Sequence, residues 1–213
     1  MHNFSEISIS LSGEAADTNY DVFVYDNSGT LTLELVAWTN DTTRATALIT
    51  QDEIYVKSGD ATRRYLGTIR TTSTIGQSED SDTSRFVWNN YNQVPRLLTL
   101  VNFTAHTYTT ASWRVWNNDA ANSQVELVFG FANVGTGILR AYQSGSGSGF
   151  GVAFGVNQST PSGRKGEQFN NIDDTSTADL FDFGTGYNYF GGVEFGASGV
   201  TFERISYVVE IQG

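Results

Sequence analysis

Histidine is the residue type in this chain that could most readily carry acid-base or metal chemistry. The 213 residues contain only two histidines, His2 and His106, and they lie far apart in the sequence. A histidine that acts as a base needs a partner to orient its ring, and the sequence places no such partner beside either one. The pattern therefore favours a structural or surface role for His106 over a catalytic role.

Two groups of carboxylates could bind calcium or cleave a glycosidic bond. They are the run 79–82 and the set Asp173, Asp174, Asp179 and Asp182. Neither stretch has ligands at alternate positions followed by the glycine and the terminal glutamate of a known calcium loop. A glycosidase pair depends on a separation in space that sequence does not define. We therefore interpret both groups as solvated loops and predict no metal site.

Glycine-rich segments resemble phosphate-binding loops only superficially. The segments are 135–137, 145–149 and 184–186, and none has the spaced third glycine or the Gly-Lys-Ser/Thr ending that cradles a phosphate. The serines within 144–148 also miss the Gly-x-Ser-x-Gly register of a hydrolase. These segments are predicted to be turns. We expect no catalytic residue, no cofactor and no enzymatic activity.

Aromatic side chains are the stronger candidates for binding, because exposed indole and phenol rings on a β-sandwich can stack against sugar rings. Burial in the core or at a subunit contact is the competing and more common role of such rings. The candidates for a glycan or interface contact lie near predicted strand ends or loops. They are Trp38, Trp88, Tyr91, Trp113 and Trp116.

Composition limits the classes of partner. The net charge is −11 with 12 basic residues, so the converging cations that a phosphate backbone requires are missing and nucleic-acid binding is not expected. The chain has no cysteine, which excludes disulfides and thiol chemistry. Apolar runs are only a few residues long, so neither a signal peptide nor a membrane span is expected. A surface with few charges is common where copies of a β-protein meet.

Short alternating runs predict a chain built almost entirely of strands. Residues 5–12 alternate Ile7, Ile9 and Leu11 with serines, and 20–25 and 30–38 form a predicted hairpin across the turn 26–29. In the second arm of the hairpin, Leu31, Leu33, Leu35 and Ala37 are expected to face the core. Residues 73–84 lack periodicity and are predicted to be a loop.

The remaining runs complete about fourteen predicted strands, which fit a mostly antiparallel β-sandwich or jelly roll with little helix. Phe150 to Val156 places glycine and alanine on one face, where another backbone could approach closely. In 200–211, Phe202 is out of phase, which predicts a bulge near Glu203 in a central strand. Other predicted strands are 44–50, 54–57, 64–71, 85–88, 96–101, 106–108, 112–116, 124–132, 138–142 and 187–195. We expect either one continuous domain or two regions, 1–110 and 111–213.

Several segments of the first half resemble, in order and spacing, a module that recurs in structural proteins of tailed bacteriophages and prophages. The similarity extends over about 4–108 and is looser afterwards. The segments are 20–29 (YDVFVYDNSG), 35–45 (LVAWTNDTTRA), 55–59 (YVKSG), 62–70 (TRRYLGTIR) and 84–96 (SRFVWNNYNQVPR).

The resemblance implies a non-enzymatic protein of the virion surface, either a capsid decoration protein or a tail fibre or receptor-binding component. Such a protein is made in the host cytoplasm and assembles with itself and with other virion proteins. We expect a symmetric oligomer, a trimer, because weak contacts add when many sites engage together. Host surface glycan is a further candidate partner, and a carbohydrate-binding β-sandwich module is the alternative interpretation.

Overall fold

The computed structural model describes residues 6–162, 169–170 and 173–213, and these residues form seventeen β-strands and one short 3-10 helix. The strands before residue 90 are β1 (Asn19–Asn27), β2 (Thr30–Ala37), β3 (Leu48–Gln51), β4 (Ile54–Lys57), β5 (Asp60–Arg70), β6 (Ser84–Arg85) and β7 (Val87–Asn89). The next are β8 (Pro95–Asn102), β9 (His106–Thr107), β10 (Trp113–Val115), the 3-10 helix Trp116–Asn118, β11 (Gln124–Phe129) and β12 (Asn133–Gly145). The last are β13 (Phe150–Val156), β14 (Phe169–Asn170), β15 (Asp173–Phe183), β16 (Gly186–Phe195) and β17 (Val200–Gln212).

The strands form three sheets. The N-terminal sheet has the order β2-β1-β5-β4-β3, with β7 also paired to β5. The sheet centred on β16 (the β16 sheet) has the order β14-β13-β16-β11-β6, with β10 also paired to β16. The sheet centred on β17 (the β17 sheet) has the order β15-β12-β17-β8, with β9 also paired to β17. Among these pairings only β6 with β11 is parallel, so the all-β, antiparallel sandwich predicted from sequence is confirmed.

Aromatic rings fill the space between the β16 and β17 sheets. The ring of Phe154 lies 4.9 Å from Phe181 and 4.5 Å from Phe190, measured between centroids. Gly137 faces this cluster, where an added Cβ would meet the Phe181 ring at 2.9 Å and the Phe190 ring at 3.0 Å. The glycine is therefore needed for rings from both sheets to meet, and the core closes tightly around them.

Several local predictions are confirmed. The β1–β2 hairpin turns at Ser28 and Gly29, both with positive φ, and Asp26 accepts a hydrogen bond from the Gly29 amide. In the β12–β17 pairing Tyr142 faces Arg204 and Gln143 faces Phe202, so the bulge lies at Glu203 as expected. The bare face of β13 is approached by backbone, because a Cβ on Gly155 would meet the Gln158 carbonyl at 2.5 Å. β17 lies between β12 and β8, which makes it central.

Other predictions were wrong. Residues 6–12 form no strand, and Ile7 remains exposed because no neighbouring strand pairs with this segment in the described structure. Leu31, Leu33 and Leu35 are only half-buried and Ala37 is exposed, because β2 is an edge strand and the core residue of this hairpin is Phe23 of β1.

The acidic stretch around Asp179 is a strand rather than a solvated loop, because Phe181 and Phe183 anchor β15 in the core. Position 110 does not separate the sheets, since β8 and β9 pair with β17 and one hydrophobic core includes both Phe23 and Phe190. The part of the structure that is described has a continuous core.

A half-buried arginine joins the N-terminal sheet to the sandwich. Arg44 donates from Nε to Asp21 Oδ2 at 2.8 Å and from Nη2 to the Gly130 carbonyl, which lies just after β11. Its guanidinium lies 4.5 Å from the ring centroid of Trp38 and 5.4 Å from that of Phe131. The Asp21 side chain is 3% exposed, so the ion pair and these stacking contacts are largely removed from solvent.

We predict that Leu127→Ala and Phe129→Ala in β11 each destabilise the protein by about 2 to 5 kcal/mol, because both side chains are fully buried and truncation leaves a cavity. Chemical denaturation monitored by tryptophan fluorescence measures the change. Gln93→Ala, at an exposed position, is the control and should be near neutral. Near-neutral behaviour of both β11 variants would contradict the packing described above.

We predict that Arg44→Ala costs about 3 to 5 kcal/mol at neutral pH, because Asp21 is left as an uncompensated buried charge. Burial raises the pKa of Asp21 and Arg44 opposes that shift, so removal of Arg44 raises the pKa further. The folded variant then regains stability by binding a proton as the pH falls, and the loss relative to wild type should be smaller at about pH 4 than at about pH 7.

Thermal denaturation at the two pH values measures this difference. Arg64→Ala removes an exposed arginine stacked on Tyr91 and serves as the matched control, with little change expected at either pH. A loss for Arg44→Ala that stayed constant over the pH range would show that Asp21 is not the group left unpaired.

Candidate interaction surface

Three of the five aromatic candidates lie inside the protein. Trp38 is 6% exposed, Trp88 is 3% exposed and Trp116 is fully buried. Trp38 and Trp88 belong to the junction with the N-terminal sheet, where Trp88 contacts Phe131 at 5.6 Å between centroids. Because their rings contact other parts of the chain, these three tryptophans cannot present a stacking face to a glycan.

The other two candidates reach the surface to different degrees. Tyr91 is 47% exposed, and Arg64 lies over its ring at 4.5 Å from the centroid and donates from Nε to its hydroxyl at 3.2 Å. Trp113 is half-buried and packs against Phe195 at 5.5 Å between centroids. The five aromatic residues therefore do not form one stacking surface, since the two that are accessible lie on β10 and in the loop after β7.

His106 has an orienting partner that sequence distance concealed. Its Nε2 lies 2.6 Å from Oε2 of Glu194, a residue of β16 that is fully buried and 88 positions away. The Arg114 Nε donates to Oε1 of the same carboxylate at 2.6 Å, and the Asn117 amide donates to it at 3.2 Å. The His106 ring stacks on Phe202 at 5.4 Å between centroids.

This arrangement fits a structural role better than a catalytic one. The second ring nitrogen of His106, Nδ1, lies 3.1 Å from the Thr104 carbonyl, so both nitrogens are engaged within the chain. A general base needs one nitrogen directed at a substrate. In the described residues no group of three or more histidine or carboxylate side chains could hold a metal.

A polar groove lies at one edge of the sandwich. Its volume is 340 Å³, and it is open to solvent between β8 and β11. The Glu126 carboxylate on its wall accepts a hydrogen bond from the Tyr187 hydroxyl. Its lining is mostly hydroxyl, amide and carboxylate groups, with Leu100, Val101 and Ala121 as the apolar members, and it includes no aromatic ring. The polar residues are Thr83, Ser84, Thr99, Asn122, Gln124 and Glu126. The groove therefore lacks the ring that usually anchors a sugar.

The outward face of the β17 sheet is the most unusual surface of the molecule. Alternate residues of its strands fill the core, and the others point away from the β16 sheet to solvent. Many of the outward residues are large and apolar: Leu97, Val101, Val134, Ile138, Leu180 and Val208 are between 39% and 59% exposed. An antiparallel sheet with one face in water normally carries polar side chains on that face.

Strand register arranges these side chains in rows across the sheet. Each row runs from the β8 edge to the β15 edge. The middle row is Thr99, Val208, Ile138 and Ala178. The row on one side of it is Leu97, Glu210, Thr136 and Leu180, and the row on the other side is Val101, Ser206, Arg140 and Ser176. Only two of these twelve side chains are charged. The middle row has no charge at all, and it places Val208 beside Ile138 at the centre of the face. We call the surface made by these three rows the outer face.

Charged side chains lie at opposite sides of the centre. Glu210 is one row away from Val208 in one direction along β17, and Arg140 is one row away from Ile138 in the other direction along β12. Neither residue forms an ion pair with another residue in the described parts of the chain. Both charges are thus available to a partner that covers the face.

Comparison with known proteins gives no assignment: no protein-family model matches the chain, and no curated protein matches it significantly. The described residues include no helix with the length and hydropathy needed to cross a membrane. The outer face must therefore be interpreted from its own chemistry.

Sequence reasoning missed the outer face, although a signal for it exists. The β8 segment reads Leu97, Leu98, Thr99, Leu100 and Val101, so it is apolar on both faces instead of alternating. Such runs are typical of strands covered on both sides. In β17, Val208 next to Val209 gives the same signal in a strand that otherwise alternates cleanly.

We predict that Glu194→Ala destabilises the protein by about 3 to 5 kcal/mol, because Arg114 and His106 lose the buried carboxylate that pairs with them. Glu194→Gln keeps the shape and one acceptor oxygen and should cost less. Urea denaturation measures both losses, with the exposed Glu6→Ala as control. A glutamine variant as stable as the wild type would show that charge contributes nothing to this cluster, and losses equal to those of the alanine variant would show that the shape and the remaining acceptor contribute nothing.

Proposed function

We propose that this chain is a non-enzymatic structural protein of the bacteriophage virion surface, made in the host cytoplasm and assembled in symmetric copies. The observation that carries the proposal is the outer face of the β17 sheet, which is apolar, nearly uncharged and exposed. Contiguous apolar patches on soluble proteins usually mark contact sites. The phage context comes from the resemblance of residues 4–108 to virion structural modules.

Rigidity supports a structural role. The aromatic core around Phe154, Phe181 and Phe190 is tightly packed, and the loops that join the strands are short over most of the described chain. A sheet backed by such a core presents its outward side chains at fixed positions. Fixed positions are what repeated contacts in a particle require, because each copy must meet its neighbours in the same geometry.

The engagement of the titratable groups supports a non-enzymatic role. Glu194, His106 and Arg114 bind one another, and Asp21 binds Arg44, so these buried groups are used to hold the fold. An active site instead directs such groups into a cleft with an unfilled hydrogen-bonding position. The polar groove at β8 and β11 has a single carboxylate, Glu126, whereas glycoside cleavage uses two.

Capsid decoration and tail-fibre or receptor-binding duty both fit this proposal. The alternative of a carbohydrate-binding module rests on exposed aromatic rings, and burial of Trp38, Trp88 and Trp116 leaves it with Tyr91 and the half-buried Trp113. A platform for a sugar needs an open ring face, and Arg64 covers one face of Tyr91. Assembly is therefore the better supported function.

We predict that the chain is found in purified phage particles in copy numbers similar to those of other virion proteins. Particles are isolated on a density gradient from a lysate in which the gene is expressed, and the chain is quantified by peptide mass spectrometry. A phage protein that is not part of the particle serves as the control for contamination. Heads and tails separated before the measurement assign the protein to one of them.

The contrary outcome is equally clear. If the chain is abundant in the lysate but stays in the soluble fraction while capsid and tail proteins sediment with the particles, it is not a virion component. Gold-labelled antibodies viewed by electron microscopy give an independent readout of surface position, because a surface protein is labelled on intact particles.

A further inference from the structure

We propose that the outer face binds a second copy of this chain, face to face, about a two-fold axis that crosses the strands through Val208 and Ile138. This inference deepens the proposed assembly function and rests on it by naming the surface, the partner and the symmetry. The partner is this chain itself, because the pattern of apolar and charged side chains on the face is complementary to the same pattern rotated about the two-fold axis.

The area of the face is close to that of a specific contact. Four strands spaced about 4.8 Å apart, with three rows of outward side chains about 6.8 Å apart, give a flat footprint of roughly 400 Å². Pairing of two such faces covers roughly 800 Å² of flat area in total, against the about 1,000 Å² of accessible area that a specific interface requires. The rough surface of the side chains raises the accessible area above the flat value. Sheets also pack face to face readily at about −30°, the angle set by their twist.

The apolar side chains match under this rotation. The axis lies in the plane of contact along the row Thr99, Val208, Ile138 and Ala178, and it exchanges the rows on either side. Val208 and Ile138 then meet their own counterparts at the centre. At the β8 edge Leu97 meets the second copy's Val101, and the second copy's Leu97 meets Val101. Apolar groups therefore cover apolar groups at the centre and along one edge.

The charges also match. Rotation about this axis brings the second copy's Arg140 into the row of Glu210. It then lies on the facing sheet, one strand spacing away from Glu210. By symmetry the contact occurs twice. Each copy thus supplies one acidic and one basic partner, and neither charge is buried alone, which is the arrangement that a wet interface rim tolerates.

A second possible axis is disfavoured by the same charges. An axis running parallel to the strands, between β12 and β17, would also bring the faces together and would pair Ile138 with Val208. However, it would place Glu210 beside its own counterpart and Arg140 beside its own counterpart. Like charges facing each other across a contact cost free energy. The charge pattern therefore selects the axis that crosses the strands.

Two-fold symmetry differs from the threefold symmetry that the sequence led us to expect. A face that pairs with its own image closes after two copies, because both copies use the same patch. A dimer is accordingly the assembled unit in solution, and contacts of the dimer with other virion proteins use surfaces outside the outer face.

Light scattering coupled to size exclusion at micromolar concentration tests the proposal. The wild-type chain should elute with a mass of about 47 kDa, twice the 23.3 kDa of one copy. Ile138→Lys places two like charges on the axis and should weaken the dimer at least thirtyfold, roughly the effect expected at a central interface residue. Ile49→Lys changes an isoleucine of similar exposure on β3 and should leave the dimer intact.

Charge exchange provides the test of register. Glu210→Arg and Arg140→Glu should each weaken the dimer, because each puts like charges across the contact. The variant with both changes should restore the wild-type association, since the pair is rebuilt with reversed signs. Circular dichroism melts of all variants confirm that the chains are folded, so loss of association is not mistaken for unfolding.

Covalent trapping gives an independent readout. The chain has no cysteine, so Ile138→Cys introduces a single thiol. On the two-fold axis this thiol should be joined to its counterpart by a short bifunctional thiol reagent, whereas Ile49→Cys should not be joined.

Three outcomes would overturn the inference: a wild-type monomer at all concentrations tested, a trimer, or a dimer that survives both Ile138→Lys and Glu210→Arg. These outcomes are separate from the fate of the proposed function. A chain that dimerises through the outer face yet is absent from particles contradicts only the virion role. A chain found in particles that stays monomeric in solution contradicts only the two-fold pairing.

Discussion

The ion pair between Arg44 and Asp21 sets the arrangement of the two parts of this protein. Arg44 lies in the chain between β2 and β3, yet its guanidinium also reaches the carbonyl of Gly130 beyond β11. Its guanidinium lies against the rings of Trp38 and Phe131, and the Asp21 carboxylate compensates its positive charge there. The N-terminal sheet therefore cannot shift on the sandwich without leaving a charge unpaired in an apolar environment.

That junction also decides which aromatic residues remain available for function. Trp38 and Trp88 contribute their rings to the contact between sheets, and Gly130 allows the approach of Trp88, because an added Cβ would lie 2.4 Å from the Trp88 ring. These rings are thus committed to internal packing. The outer face of the β17 sheet remains as an apolar area open to a partner.

Sequence patterns predicted the class of fold and many strands, because alternation records which side of a strand is buried. The bulge at Glu203 was readable, since Phe202 falls out of phase with Ile205 and Tyr207. Interactions between distant residues were not readable. Nothing near His106 in the chain indicates Glu194, and the acidic residues of β15 concealed a strand whose place depends on Phe181 and Phe183 packing against rings of the β16 sheet.

The sequence-based prediction missed the outer face for a different reason. Alternation of apolar and polar residues indicates which side of a strand is buried within one chain. Apolar residues that only a second copy would cover therefore interrupt the alternation without indicating a contact.

The position of β17 in the chain has a consequence for how the protein is made. This strand is the middle of its sheet, where it pairs with both β12 and β8, and it also follows every other described strand in sequence. During translation the strands on either side of it emerge first and have no partner between them. The sandwich cannot close until this strand has emerged from the ribosome, so folding depends on contacts over long sequence separations and is expected to be slow. Until then the apolar edges of β8 and β12 are exposed, and chaperone binding during synthesis would protect them from pairing with another nascent chain.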